Sequence, residues 1–137
     1  MTPNEYQQAA MRTDLPDWNS HYHAWLRIMA DAKSGGPWDT FRLLHASIGI
    51  TTESGELADT LKKHIFYGKP LDTVNAIEEV GDLLWYAALA CEALGTTLED
   101  AMERNIAKLK ARYPEKFEAQ RAIERDLTAE RAALEGK

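Results

Sequence analysis

Cysteine is nearly absent from this chain, because Cys91 is the single thiol among 137 residues. One cysteine excludes an intrachain disulfide, and such sparing use of cysteine is typical of a reducing compartment. Cys91 stands in an apolar stretch with helical spacing. We therefore expect it to be a small buried hydrophobic residue.

Membrane-directing segments are also lacking in the sequence. The N-terminal stretch does not have the basic and then apolar layout of a signal peptide. No apolar run approaches the roughly 20 residues that a helix needs to cross a bilayer. We expect a cytoplasmic protein with no membrane partner.

The chain has no excess of positive charge: 16 lysines and arginines stand against 22 acidic residues, for a formal net charge of −6. A negative protein does not attract a nucleic acid polymer by its overall charge. A polyanionic substrate would be repelled unless bound metal reversed the sign locally. Nucleic acid polymers are therefore not expected as partners.

Alternation with a period of two is missing as well, so strands are not expected. Glycine and proline clusters divide helical patterns instead. The length suits one domain spanning residues 1–137. The sequence predicts an all-α helical bundle with a four-helix-type core and a C-terminal helical arm. The predicted helices cover about residues 3–12, 19–32, 39–66, 73–94 and 98–112. The tail from 115 is expected to continue as helix, either docked on the bundle or a partner subunit, or solvated.

Two acidic pairs stand out within the predicted helices. Glu53 and Glu56 are three residues apart in the third helix, and Glu79 and Asp82 are three apart in the fourth. Residues with this spacing share a helix face, so each pair directs two carboxylates the same way. If the helices pack side by side, four carboxylates meet. Four carboxylates this close repel one another unless a cation binds between them. A site made of carboxylate oxygens favours a hard divalent ion, with Mg²⁺ as the first candidate.

The surroundings of the pairs strengthen this interpretation. The fourth helix is apolar around much of its circumference and should lie centrally in the bundle, where charges need partners. Gly55 and Gly81 lie inside the two pairs, and we expect them to let the helices approach closely. Glu78 is a rival ligand to Glu79, because it lies one turn before Asp82. Spacing alone does not decide between them.

Four segments together carry a resemblance to a known family. They are residues 52–59 (TESGELAD), 62–68 (KKHIFYG), 79–86 (EVGDLLWY) and 105–114 (NIAKLKARYP). This set, with the short element Pro37-Trp38-Asp39 before it, resembles the MazG-like family of all-α nucleoside triphosphate pyrophosphohydrolases. The resemblance covers about residues 37–118, which we take as the catalytic core, leaving 119–137 as the arm.

The resemblance implies hydrolysis of a nucleoside triphosphate to the monophosphate and pyrophosphate. It implies Mg²⁺ as cofactor, with Mn²⁺ as a substitute. By motif, Glu53, Glu56, Glu79 and Asp82 are the metal ligands and catalytic residues, and the family pattern favours Glu79 over Glu78. Glu53 is our choice for the carboxylate that takes a proton from water. The family also assembles, so a homodimer or homotetramer is expected.

Further residues are candidates for binding the substrate. Asn105 and Lys108 share a helix face and match the family's phosphate element. Tyr86 lies one turn past Asp82, and aromatic rings stack on nucleotide bases. The remaining candidates are Trp38 for the base or sugar, Lys62, Lys63 and Arg112 for the phosphates, and His45 for the pocket wall.

Three questions stay open at this level. The enzyme could clear non-standard or excess nucleotides, or be dedicated to dUTP, dCTP or phosphoribosyl-ATP. A non-catalytic helical protein that binds a nucleotide or partner is the alternative from another class. The segment 13–36, which many relatives lack, is expected to cover the pocket or to form a subunit contact.

Overall fold

The computed structural model describes residues 1–33 and 39–136. These residues form seven helices and no strand, which confirms the all-α prediction. The helices are α1 (Pro3–Met11), α2 (Trp18–Lys33), α3 (Thr40–Tyr67), α4 (Thr73–Ala93), α5 (Leu98–Arg112), α6 (Ala119–Ile123) and α7 (Leu127–Leu134). No helix in the described part of the chain is both long and apolar enough to span a membrane.

The chain divides into two compact units, Met1–Gly36 and Pro37–Lys137. The first contains α1 and α2, and the second contains α3 to α7. In the first unit Thr2 caps α1 through a reciprocal pair of hydrogen bonds with Glu5. The single domain that the sequence predicts stays a prediction, as does the role of segment 13–36.

Local chemistry fixes the helix ends in the second unit. The side chains of Asp39, Asp72 and Thr97 each accept a hydrogen bond from a backbone N–H in the first turn of α3, α4 and α5. Such caps satisfy donors that the helix itself leaves unpaired. Gly68 ends α3 with a φ of 65°, a left-handed conformation that glycine adopts without steric cost. The predicted boundaries of these helices are confirmed to within about two residues.

The helices α3 and α4 form an antiparallel hairpin. The backbone N–H of Asp39 donates to the carbonyl of Ala93 at 3.0 Å, which ties the start of α3 to the end of α4. Gly49 of α3 is buried, and an ideal Cβ built on it would lie 2.2 Å from Cε1 of Tyr86 in α4. This close approach fixes which turns of the two helices face each other.

The C-terminal tail departs from the expectation of a continuous helix. It forms the short α6 and α7, because Asp126 accepts hydrogen bonds from the N–H groups of Thr128 and Ala129 and so starts a new helix. The helix α7 packs against α5. Of the alternatives drawn from the sequence, docking on the chain's own helices is therefore the one observed for α7.

An ion-pair cluster joins α7 to α5. Glu130 is 4% exposed and accepts two hydrogen bonds from Arg112, at 2.8 and 2.6 Å, and two from Arg125, at 3.2 and 2.7 Å. Bidentate pairs between arginine and carboxylate are among the stronger hydrogen bonds in proteins. A buried carboxylate is costly without such partners. The cluster therefore holds the tail in one arrangement.

The Glu130 cluster predicts a pH dependence of stability. Hydrogen bonds from Arg112 and Arg125 lower the pKa of Glu130 from 4.5 to about 2. A lowered native-state pKa stabilises the fold above pH 4.5, and this contribution is lost as the pH falls from 4.5 towards 2. We expect Glu130→Gln to lower the unfolding midpoint by roughly 10 °C at pH 7. Calorimetry across pH should show this difference shrinking below pH 4.5; a difference that is constant down to pH 2 would contradict the assignment.

A single copy of the chain covers few of its own apolar residues. Among the described residues, the buried hydrophobic ones are Ala46, Cys91 and Ala93, so the expected burial of Cys91 is confirmed. On α4, which the sequence places centrally, five large apolar side chains remain exposed: Val74, Ile77, Val80, Leu84 and Trp85. The apolar face of α4 is thus directed away from α3, because polar residues occupy the side of α4 that faces α3.

Candidate functional site

Three carboxylates converge between α3 and α4. One oxygen from each of Glu53, Glu56 and Glu79 lies within 4.8 Å of the other two. Glu79 is 5% exposed, Glu53 is half-buried and Glu56 is exposed. The arrangement combines an anchored carboxylate with two that solvent can reach. Glu78, which spacing left open, is exposed and lies outside this group.

The register of the hairpin explains the convergence. Starting from the contact of Gly49 with Tyr86, each helical turn along α3 meets one turn back along α4. We call the resulting row of facing residues the polar seam. Its facing pairs are Gly49 with Tyr86, Glu53 with Asp82, Glu56 with Glu79, Thr60 with Asn75, and Lys63 with Asp72.

The glycine that permits close approach is not one of the two expected. An ideal Cβ at Gly55 or Gly81 meets no atom of the described chain within 4 Å. The expectation for these two glycines is wrong in the hairpin, because both are exposed and lie off the seam. Gly49, one turn before Glu53, takes that role. The available signal was only that a glycine stands inside an otherwise helical pattern.

Asn75 is a second residue that sequence reasoning missed. Its side-chain amide donates a hydrogen bond of 2.5 Å to Oε1 of Glu79. This bond satisfies one oxygen of a buried carboxylate and fixes the orientation of the group. The i, i+4 spacing of Asn75 and Glu79 was the available signal, since such residues are neighbours on a helix.

The electrostatics of the group favour a bound cation. Burial raises the pKa of the Glu53 carboxyl above its ordinary value, and the charges of Glu56, Asp82 and Glu79 raise it further. A weak hydrogen bond from the Thr52 hydroxyl, at 3.3 Å, opposes the shift. Asp82 is exposed and outside the three-carboxylate group, yet its charge reaches Glu53. Repulsion of this kind is relieved when a cation binds.

The donor set fits a hard divalent ion. Carboxylate oxygens are the ligands that Mg²⁺ and Mn²⁺ take in proteins, whereas thiolates and imidazoles select softer metals. Three carboxylates within reach of one point, with no histidine or cysteine among them, match the first class.

The candidate base-binding residues lie one to two turns from the acids. Tyr86 is half-buried, and its ring meets His45 edge-on at a centroid distance of 5.7 Å. Trp85 meets the same ring edge-on at 4.9 Å. His45 and Tyr86 are therefore brought together beside Gly49. Trp38, the third candidate, lies outside the described residues.

The candidate phosphate-binding residues have partners of several kinds. Lys108 donates to Oδ1 of Asn105 at 2.8 Å, so these two residues are held together on α5. Lys62 pairs with Asp59 on α3. Arg112 is engaged by Glu130, which directs its guanidinium to α7. The substrate-binding roles of these residues stay predictions.

Comparison with known proteins identifies the family of this chain. A model of the MazG nucleotide pyrophosphohydrolase domain matches residues 44–117. The match covers more than half of the chain, includes all four acidic candidates and confirms the resemblance. The all-α hairpin with paired acids thus defines a nucleotide pyrophosphohydrolase-type domain. The chain belongs to the MazG family.

One curated relative adds to the family match. The chain is 30% identical over 76 residues to the Gene 37 protein of Mycobacterium phage L5. The aligned part covers 51% of this chain and 65% of that protein. The chain therefore spans slightly less than two thirds of the length of this relative. No solved structure matches the chain significantly.

Proposed function

We propose that this protein hydrolyses nucleoside triphosphates, ribo or deoxyribo, to the monophosphate and pyrophosphate, and that Mg²⁺ is required. The observation that carries the proposal is the convergence of Glu53, Glu56 and Glu79 within the segment that the family model matches. We include Asp82 in the ligand set, because it faces Glu53 across the seam and its charge already acts there.

The chemistry follows from the charges at this site. A divalent ion held by these carboxylates would neutralise phosphate charge and make a bound water more acidic. The water oxygen attacks the α-phosphorus in line, and the bond from that phosphorus to the bridging oxygen breaks. Pyrophosphate leaves with the electron pair. The proton released by water is assigned to Glu53, which is half-buried beside the other carboxylates.

The rest of the nucleotide is assigned to neighbouring residues. Tyr86 and His45 form an aromatic pair at one end of the acidic group, which suits a base or sugar. Trp38 is proposed to join them. Asn105 and Lys108, already joined by a hydrogen bond, are proposed to contact phosphate oxygens. An amide and an ammonium together offer donors for a phosphate.

Clearance of non-standard or excess nucleotides is the role we propose. The test is pyrophosphate release from each ribo- and deoxyribonucleoside triphosphate separately, in the wild type and in a variant lacking the Glu79 charge. Similar turnover of many nucleotides supports clearance. Turnover of dUTP, dCTP or phosphoribosyl-ATP alone indicates a dedicated enzyme. Absence of turnover with every nucleotide and Mg²⁺ would contradict the proposal and favour a non-catalytic binding protein.

A homo-oligomer in the cytoplasm completes the proposal. Phe66 and Ile77 are more than 70% exposed, and the exposed apolar side chains of α4 continue the same kind of surface. Burying large apolar side chains is the main source of stability in a fold and in obligate dimers. A second copy, as in a homodimer or homotetramer, would cover them. Equilibrium sedimentation should give a multiple of the 15.4 kDa chain mass, and a monomer at micromolar concentration would contradict this assignment.

A further inference from the structure

A small cavity opens where α3 ends and α4 begins, one turn beyond the acidic group. Its volume is about 290 Å³, which is enough for two phosphate groups. Its walls are formed by Thr60, Lys63, Lys69, Pro70, Asp72 and Asn75.

The cavity is continuous with the acidic group along the polar seam. Thr60 lies one turn after Glu56 on α3, and its hydroxyl donates to the Glu56 carbonyl at 3.2 Å. On the facing helix, Asn75 lines the cavity and donates to Glu79. Each helix thus contributes one polar residue that lines the cavity and also contacts a residue of the acidic group. A ligand held by the carboxylates through a metal ion can extend into the cavity without crossing an apolar barrier.

The charge of the cavity is opposite to that of the acidic group. Lys63 and Lys69 both line it. The ammonium of Lys69 has no partner among the described residues, and Lys63 pairs at 2.7 Å with Asp59, one turn earlier on α3. The one carboxylate in the wall, Asp72, is engaged in capping α4 through the N–H of Asn75 at 3.1 Å. Lysine ammonium groups are suited to phosphate.

Three kinds of surface therefore follow one another along a single seam. The aromatic pair of His45 and Tyr86 lies at one end, the acidic group in the middle, and the lysine-lined cavity at the other end. A nucleoside triphosphate has the same order of chemistry: an aromatic base, an α-phosphate where reaction occurs, and terminal phosphates carrying most of the charge. We propose that the cavity binds the β- and γ-phosphates and holds the departing pyrophosphate. This inference rests on the proposed function.

Product inhibition tests the inference directly. We expect pyrophosphate and the nucleoside monophosphate each to inhibit by occupying its own part of the site. We expect Lys69→Gln and Lys63→Gln each to raise the inhibition constant of pyrophosphate about tenfold, since each removes a charged hydrogen bond. The inhibition constant of the monophosphate should stay within twofold of the wild type. Lys69→Arg should restore most of the affinity for pyrophosphate.

The control and a second readout keep the outcomes distinct. Lys116→Gln removes the same charge from an exposed position outside the cavity and should leave both inhibition constants unchanged. Mn²⁺ affinity, followed by electron paramagnetic resonance, should be the same in all variants. Unaltered pyrophosphate inhibition in both cavity variants, or a weakening confined to the monophosphate, overturns the inference while leaving the hydrolase intact. A wild type that neither releases nor binds pyrophosphate overturns the proposed function itself.

Discussion

Glu79→Gln is expected to lower the rate of pyrophosphate release by at least about 10³-fold and to abolish tight Mn²⁺ binding. Glutamine keeps the shape of the side chain, and its oxygen can still accept the hydrogen bond from Asn75. What is lost is the negative charge of the most buried ligand in the acidic group. The measurements are steady-state pyrophosphate release and Mn²⁺ titration followed by electron paramagnetic resonance.

The neighbouring residue supplies a matched control for this experiment. Glu78→Gln makes the same chemical change one position earlier, on an exposed side chain outside the acidic group. We expect near wild-type turnover and Mn²⁺ affinity from it. Equal loss in the two variants would indicate a general effect of charge on α4. Retention of Mn²⁺ binding and turnover by Glu79→Gln would remove the basis for the metal site.

Much of the fold was predictable because its signals are local. The residue types at the helix ends are ones that favour such positions. They are the caps Asp39, Asp72 and Thr97 and the terminating Gly68. The convergence of three of the four predicted acids, Glu53, Glu56 and Glu79, was predictable too, whereas Asp82 lies outside the group. Convergence needs only that each helix carries two acids three residues apart, and that the connection between the helices is too short to let them separate.

The register of the hairpin was less accessible, because it depends on packing between helices rather than within them. Gly55 and Gly81 had the expected position inside the acidic pairs, but Gly49 makes the close contact. No pattern in the sequence predicts which glycine faces Tyr86. The break before α7 was missed for a related reason: Asp126 looked like one more charge in a charged tail, whereas in the structure it caps a helix.

The residues between α3 and α4 are polar, which is the reverse of what is usual for two packed helices. Residues between two packed helices are usually apolar, and the wide apolar face of α4 suggested a central position. In this hairpin the seam carries the acids, Asn75 and Thr60, while Leu84 and Trp85 point away and are more than half exposed. A seam filled with polar groups suits a binding site. It leaves the apolar face of α4 available for contact with another copy.

Gly49→Ala is expected to destabilise the protein, although alanine is normally the better helix former. In an ordinary helical position this substitution stabilises by up to about 1 kcal/mol. At Gly49 the new methyl group would lie 2.2 Å from the Tyr86 ring, so the ring or the whole of α4 must move. Overpacking of this kind costs about 1–3 kcal/mol. Denaturant unfolding should therefore show a lower free energy of unfolding.

Two further sets of variants isolate the cause. Gly55→Ala and Gly81→Ala are made in the same two helices where a Cβ meets open space in the described chain, and they should raise the free energy of unfolding. Adding Tyr86→Ala to Gly49→Ala makes room for the methyl group. The double variant should then be more stable than the two separate losses predict, with a coupling energy of about 1 kcal/mol or more. If Gly49→Ala stabilises as much as the other two glycine variants, the register does not depend on this contact. The alignment of Glu53 and Glu56 with Glu79 would then need another explanation.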